Sequence, residues 1–223
     1  MLQTQTVEPN TFSLLKRLMQ KPELNEFSLV GGTALSLLYG HRISIDLDLF
    51  TETPFSNEVI ISCLKEEFKD QFQLIRSTNK FGIFCFIEKV KVDIIKHAHP
   101  LIRNVETIDG IRMYSVPDIA AMKINAILGR GKKKDFWDLH ELLKYYTLGE
   151  ISDFYEQKFA EQRLLISIPQ AVTYFVDAED SEDPVSLHSQ TWMNVKKNIK
   201  KKVSDYLKYF TSILPSYKHI LKA

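Results

Sequence analysis

The stretch FSLVGGTALSLLYGHRISIDLDLF, residues 27–50, decides the fold of the N-terminal part of the chain. It opens with a short apolar run, typical of a buried strand, and continues with a second apolar run that ends at Gly40 and indicates a helix. Gly31 and Gly32 lie between the two, where a strand must turn sharply into a helix, and glycine permits that turn. The first helical turn would present unpaired backbone N–H groups at the positive end of the helix dipole, which suits phosphate oxygens. The Thr33 hydroxyl could add a further contact.

Two acidic residues follow on a second predicted strand. Ile45, Leu47 and Leu49 alternate with Asp46 and Asp48, so an extended chain places both carboxylates on one face and the apolar side chains on the other. Two such acids repel each other and are costly to desolvate unless a cation lies between them. Their oxygen ligands suit magnesium, which keeps several waters and is completed by the phosphates of a substrate.

A third carboxylate is predicted from the run KVKVDIIKH. Asp93 alternates with Val92 and Ile94, so on a neighbouring strand its side chain would project from the face opposite to those two residues. There it would complete a triad with Asp46 and Asp48. Two metal ions held about 3.5–4 Å apart by such a triad can activate an attacking hydroxyl and stabilise the leaving oxygen of an in-line phosphoryl displacement. The chemistry that this pattern indicates is nucleotidyl transfer.

The runs GGTAL, HRISIDLDLF and VDII resemble the polymerase-β-like nucleotidyltransferases, and more closely the AbiEii/AbiGii family of toxin nucleotidyltransferases. The segment DIAAMKINAILGRGKKKDFWDLHELL resembles the helical part of that family, and the segments YFVDAEDSEDPVSL and TWMNVKKNIKKKV resemble its C-terminal part. The similarity spans residues 27 to about 203. Some members of the wider superfamily have Gly-Ser where this chain has Gly32-Thr33.

The resemblance implies a magnesium-dependent nucleotidyltransferase with two Mg²⁺ ions, or Mn²⁺ in their place. A nucleoside triphosphate would be the donor, the 3′ end of a tRNA or a protein hydroxyl the acceptor, and a cognate antitoxin the partner that restrains the activity. Gly31, Gly32 and Thr33 would hold the phosphates, and Asp46, Asp48 and Asp93 would hold the metals. The alternative is a catalytically silent module that binds nucleotides or a partner protein. The three mutually repelling acids favour the enzyme.

Three further charged residues are candidates. Arg42 is either a phosphate contact or the partner of a structural carboxylate. A lone lysine on an amphipathic helix is usually solvated, but Lys123 lies among apolar neighbours and matches the lysine of the family's helix, which implies a contact with the triphosphate. The resemblance also makes Asp135 an additional active-site candidate, whereas Asp138, three residues on, is expected to be structural.

The predicted fold class is α+β. A nucleotidyltransferase-like mixed sheet flanked by helices is expected over residues 1–115, and a helical bundle over residues 116–223. The boundary is placed at Ser115, since the following Pro117 and Asp118 are typical of a helix start. Within the bundle, a helix that Pro169 bends or interrupts is expected over residues 163–175.

Composition is that of an ordinary globular protein. The 223 residues are 44% hydrophobic and carry a formal net charge of +1, so no global field indicates nucleic-acid binding. No apolar run is long enough for a membrane span, and the N-terminus lacks the features of a secretory signal, from which we expect a cytoplasmic protein with no membrane association. Cys63 and Cys85 are isolated and are expected to be free thiols.

The sequence contains two local basic clusters, although its net charge is close to zero. Arg130 and the lysines at 132–134 form a predicted turn that could steer a nucleotide or an RNA end, or could simply be solvated. Five lysines fall within residues 196–202 of the last predicted helix. These lysines could form a solvated face, or they could hold an RNA backbone.

Overall fold

The computed structural model describes residues 1–78 and 81–213 and confirms the α+β class. The chain divides into two compact units. The first comprises Met1–Ile119 together with Val185–Ser189, and the second comprises Ala120–Pro184 together with the residues from Gln190 onward.

The first unit is built on a mixed seven-stranded sheet. Its strand order is β3-β4-β5-β2-β1-β7-β6, with parallel pairs β2–β5 and β1–β7 and antiparallel pairs elsewhere. The strands are β1 Ser28–Leu29, β2 Leu47–Thr51, β3 Phe72–Thr78, β4 Gly82–Ile87, β5 Val90–Lys96, β6 Glu106–Ile108 and β7 Ile111–Met113. The helices of this unit are α1 Pro9–Met19, α2 Gly31–Tyr39 and α3 Asn57–Phe68, and helix α4, Val116–Gly129, begins in it.

Alternation along the central strands separates an apolar face from a polar face. On β2 and β5 the side chains of Leu47, Leu49, Val92 and Ile94 are at most 1% exposed and form part of the core. The intervening residues, which include the predicted acids, therefore lie on the other face of the same two strands. The apolar burial thus fixes the register that brings the acids together.

The strand carrying the paired acids begins later than expected. Ile45 was predicted to share the apolar face with Leu47, but β2 begins at Leu47 and Ile45 is 61% exposed. A long-range contact accounts for this: the backbone N–H of Ser44 donates to the carbonyl of Thr6 at 2.9 Å, so the loop before β2 bonds to the N-terminal segment.

An arginine that the sequence did not single out anchors β1. The guanidinium of Arg112, on β7, donates to the carbonyl oxygens of Met19, Leu24 and Phe27 at 2.8, 2.9 and 3.0 Å. Burial lowers the pKa of this guanidinium, although nearby Glu26 opposes the shift. Three backbone acceptors in the segment before β1 are thereby satisfied, which fixes the approach to the glycine turn.

The second unit consists of helices. Besides the rest of α4 it contains α5 Lys133–Leu142, α6 Leu148–Lys158, α7 Ile168–Thr173 and α8 Trp192–Ile213. Helix α8 packs on α5, α6 and α7 through Val195, Ile199 and Val203, which are buried. The indole of Trp192 stacks on that of Trp137 with centroids 5.7 Å apart and planes 11° apart.

The helix predicted over residues 163–175 is shorter than expected. Helix α7 begins at Ile168, where the Ser167 side chain accepts from the N–H of Gln170 at 3.4 Å and caps the first turn. Pro169 therefore occupies the first turn, where its missing N–H costs nothing, and does not interrupt a longer helix.

Candidate active site

The glycine turn places the start of α2 against a carboxylate of β2. Gly31 has φ +72°, and its neighbour Val30 donates its N–H to the carbonyl of Asp48 at 2.9 Å. A Cβ built on Gly31 would lie 2.7 Å from Oδ2 of Asp48, closer than any real Cβ contact. The backbone conformation therefore favours glycine here, and a side chain at this position would displace the Asp48 carboxylate.

The Asp48 and Asp93 side chains are neighbours across two paired strands. In the parallel pair β2–β5, Asp48 is the register partner of Asp93, so the two side chains leave the same face of adjacent strands about 4.8 Å apart. Asp93 is 9% exposed, and its Oδ2 forms an ion pair with Lys91. Its Oδ1 is buried and has no hydrogen-bond partner among the described residues. A buried carboxylate oxygen without a donor is costly, and the cost points to a ligand at this position.

Thr33 connects α2 to the loop that carries Asp46. Its side chain is buried, and its hydroxyl donates to the carbonyl of Asp46 and lies 2.8 Å from the hydroxyl of Ser44. The hydroxyl thus fixes the backbone at Asp46, a residue that is half-buried just before β2 begins. Direct contact of the hydroxyl with a phosphate, as expected from the sequence, stays a prediction.

Arg42 is almost fully buried and belongs to the same loop. Its Nη1 donates to the carbonyl of Ile43 at 3.0 Å, and its backbone bridges to Ser186 of the segment Val185–Ser189. The structure therefore gives Arg42 a part in holding the loop before Asp46, and its contact with phosphate stays a prediction.

Among residues 1–78 and 81–213, no group of three or more His, Cys, Asp or Glu side chains is arranged to hold a metal ion. The structure brings Asp48 and Asp93 together and places Asp46 at the start of the same strand, without assembling all three as ligands. Asp48 and Asp93 are therefore the side chains best placed to bind a cation in the first unit.

Lys123 is neither solvated nor directed into open space. In the second unit its Nζ lies 2.6 Å from Oδ2 of Asp138 and 3.2 Å from Oδ1 of Asp135. Lys123 is 5% exposed and both acids are 0% exposed. Arg130 adds two bonds of 3.1 Å to the Asp135 carboxylate from the surface. Lys123, Asp135 and Asp138 thus form a buried ion-pair network that Arg130 joins from the surface, and the nucleotide contacts of Lys123 and Asp135 stay predictions.

The network controls the protonation of Asp135. Burial by itself would raise the pKa of this carboxyl, but the charges of Lys123 and Arg130 outweigh it and hold the pKa below its usual range. Asp135 is therefore an anion at neutral pH, as the structural pairing with Lys123 requires.

The fold itself has known counterparts. A crystal structure of a candidate nucleotidyltransferase from H. pylori matches 92% of this chain and 98% of its own with a TM-score of 0.57 and 19% identity, which shows a shared fold. MenT4, a nucleotidyltransferase toxin from Mycobacterium tuberculosis H37Rv, matches 86% of this chain and 89% of its own at 12% identity, with a TM-score of 0.47. The first of these matches shows that the chain shares its fold with that protein over nearly its whole length.

Sequence comparison gives the family. The model of the family described as "Nucleotidyl transferase AbiEii toxin, Type IV TA system" matches residues 13–221. An uncharacterized protein of Aquifex aeolicus (strain VF5), aq_aa25, is 34% identical over 191 residues, which are 82% of this chain and 89% of that protein. The chain belongs to the AbiEii family of nucleotidyltransferase toxins, as its resemblance to that family predicted.

Across the helices that the structure describes, none is both long and apolar enough to cross a membrane.

Proposed function

We propose that this nucleotidyltransferase is magnesium-dependent and transfers a nucleoside monophosphate from a nucleoside triphosphate to a hydroxyl group, releasing pyrophosphate. The observation that carries the proposal is the register pair Asp48–Asp93 beside the glycine turn, with Oδ1 of Asp93 buried and without a donor in the described chain. Magnesium is commonly held by one or two carboxylates and completed by waters and substrate phosphates, so two adjacent acids fit it.

Each candidate site residue of the first unit has a defined role in this proposal. Asp48 and Asp93, with Asp46 as a third ligand, would hold Mg²⁺. The backbone N–H groups at Gly31 and Gly32 would receive the β- and γ-phosphates at the positive end of the nine-residue helix α2. When bound, the metal would supply the charge that lowers the pKa of the acceptor hydroxyl and stabilises the leaving pyrophosphate. Thr33 would keep Asp46 in position through its bond to the Asp46 carbonyl.

The acceptor we propose is the 3′ hydroxyl of an RNA, with the tRNA 3′ end as the first substrate to test and a protein hydroxyl as the second. Because the family is that of type IV toxin–antitoxin systems, we further propose a cognate antitoxin that restrains the transfer.

The test is incubation of the purified protein with each labelled nucleoside triphosphate, Mg²⁺ and either total tRNA or a protein extract. Transfer of label that is lost in Asp46→Ala supports the proposal. Nucleotide binding with no release of pyrophosphate, under every combination of donor and acceptor, would instead show a silent binding module.

Removing the metal should stop the reaction. Chelation with EDTA is expected to reduce transfer to background, and excess Mg²⁺ or Mn²⁺ should restore it. Asp48 and Asp93 are both negatively charged, so without a metal cation they would repel the phosphates of the donor. The measurement is pyrophosphate release before and after the metal is returned. Full activity in EDTA would contradict the assignment of the two acids as metal ligands.

Gly31→Ala should disturb the site through Asp48. The added Cβ would collide with Oδ2 of Asp48, and we expect transfer to fall by about tenfold to a hundredfold as the carboxylate is displaced. Gly110→Ala is the matched control: Gly110 also has a positive φ, +81°, but a Cβ there meets nothing within 4 Å. Both variants carry the backbone strain of about 1–2 kcal/mol for a left-handed alanine, so they differ in the collision with Asp48 and in the place where the strain falls. Equal activities of the two variants would show that the Asp48 position is not critical.

A further inference from the structure

The outer surface of helix α8 carries a group of lysines that the proposed active site does not use. Lys197, Lys200, Lys201 and Lys202 are all exposed, whereas Val195, Ile199 and Val203 on the inner side are buried. We call these four residues the α8 lysine face. Lys197 and Lys201 are one turn apart, about 6 Å along the helix axis, so their ammonium groups lie on one side of the helix.

Three other lysines of the second unit lie in different surroundings from these four. Lys133, Lys144 and Lys196 each pair with an acid, namely Asp183 at 2.8 Å, Glu141 at 2.5 Å and Glu179 at 2.6 Å. No lysine of the α8 lysine face has an acidic partner among the described residues, and the Nζ of Lys200 lies 5.7 Å from the centroid of the Phe175 ring. No ion pair among the described residues neutralises the α8 lysine face, and the acid nearest to it along the helix is Asp205, one turn from Lys201.

The charge is also segregated along the chain. Helix α8 contains six lysines and one acid, Asp205, whereas the whole protein has a formal net charge of only +1. The rest of the chain is thus net negative. Like charges one turn apart destabilise a helix slightly, so the α8 lysine face would gain from an anionic partner that carries several charges.

A groove of about 380 Å³ runs beside this surface and adds hydrogen-bond donors. Lys201 and Lys202 border it together with Lys144, His140 and the amide of Asn198, and Asp205 is the one acid in its lining. Residues 196–202 include no aromatic side chain on which a base could stack. Lysines without stacking partners contact phosphates independently of base sequence, which is how proteins hold the backbone of a nucleic acid.

We infer that the α8 lysine face binds the phosphate backbone of the acceptor RNA. The inference rests on the proposed function, in which RNA is the acceptor, and it assigns recognition of the RNA body to α8 and chemistry at the 3′ end to the acids of the first unit. Binding by this surface is sequence-independent and decreases as salt increases, since each phosphate contact releases counterions.

The test is binding of a fluorescein-labelled RNA stem–loop with a single-stranded 3′ end, measured by anisotropy over a range of KCl concentrations without nucleotide or Mg²⁺. The triple variant Lys197→Gln, Lys201→Gln and Lys202→Gln keeps good helix formers at exposed positions. We expect its affinity at low salt to fall by about tenfold or more, and the slope of log affinity against log salt to become shallower by roughly 2–3, close to one per lost phosphate contact.

The matched control removes the same total charge from the other unit, in Lys16→Gln, Lys65→Gln and Lys89→Gln, three exposed lysines of the first unit. Unchanged binding in this control, with an unchanged tryptophan unfolding curve in the α8 variant, assigns the loss to the α8 lysine face. Equal losses in both triple variants, or no loss in the α8 variant, would overturn the inference.

The two proposals fail in different ways. Loss of RNA affinity in the α8 variant, in a protein that transfers nothing to RNA, would leave the α8 surface standing and refute the proposed acceptor. If the protein transfers nucleotides to RNA but the α8 variant and the wild type bind RNA with the same affinity, the proposed acceptor stands and the role of the α8 lysine face is refuted. Transfer to a protein that requires the α8 lysines, without any RNA binding, would overturn the inference in favour of an acidic protein partner.

Discussion

Asp93→Asn is expected to lower nucleotidyl transfer by at least about 10³-fold while leaving the protein folded. The amide has the size of the carboxylate but not its charge, so the pair with Asp48 could no longer bind a divalent cation. Because Asp48 and Asp93 leave the same face of adjacent strands, the substitution also removes a repulsion. The lost ion pair with Lys91, whose side chain is 40% exposed, costs no more than about 1 kcal/mol.

Activity and stability should therefore separate in this variant. Pyrophosphate release measures the first, and thermal unfolding followed by circular dichroism measures the second. Asp70→Asn, at an exposed acid of the same unit, is the control and should match the wild type in both. A fully active Asp93→Asn enzyme would remove Asp93 from the site.

Lys123→Met is expected to lower the free energy of unfolding of the second unit by about 3–5 kcal/mol. Methionine has nearly the length of lysine, so packing is preserved, but Asp135 and Asp138 would be left as two fully buried carboxylates without the cation that lies between them. Both tryptophans, Trp137 and Trp192, lie in the second unit, so tryptophan fluorescence during denaturation reports this unit alone.

The pH dependence should distinguish the variant from the wild type. In the wild type the pKa of Asp135 is lowered by folding, so its contribution to stability is present above its unfolded pKa of about 3.9 and is lost as the pH falls through the lower folded value. In Lys123→Met, burial without the lysine should raise the carboxyl pKa, and the deficit should shrink as the pH falls.

The control for this variant is Lys196→Met. Lys196 pairs with Glu179 at 2.6 Å, but the two side chains are 30% and 48% exposed, and such a pair contributes at most about 1 kcal/mol. Equal stability losses in the two methionine variants would mean that the Lys123 network is not a buried ion pair in solution.

The strand geometry around the candidate site could be predicted in part because its signals are local. Two adjacent glycines before an apolar helix and the alternation around Asp48 and Asp93 each depend on residues a few positions apart. Strand register then follows from burying Leu49 and Ile94 on the opposite face. The confirmed fold class and family depended on these same runs.

What could not be predicted depends on residues distant in the sequence. No local pattern shows that the N–H of Ser44 bonds to Thr6, so the late start of β2 was missed. Arg112 lies between two apolar residues of a short strand, and nothing nearby indicates that it would bond to three carbonyls. The burial of Lys123 did have a signal, since Asp135 and Asp138 share one helical face and need a cation once buried.

The return of Val185–Ser189 to the first unit has a consequence during protein synthesis. The N–H of Ile43 bonds to the carbonyl of Val185 at 2.9 Å, and the N–H of Leu187 bonds to the carbonyl of His41 at 3.0 Å. The loop that leads into Asp46 therefore lacks these bonds until Leu187 has been translated and has left the ribosome. A nascent chain that already contains every acid of the proposed centre still lacks two of the hydrogen bonds that hold this loop. The loop before Asp46 is therefore completed late in translation.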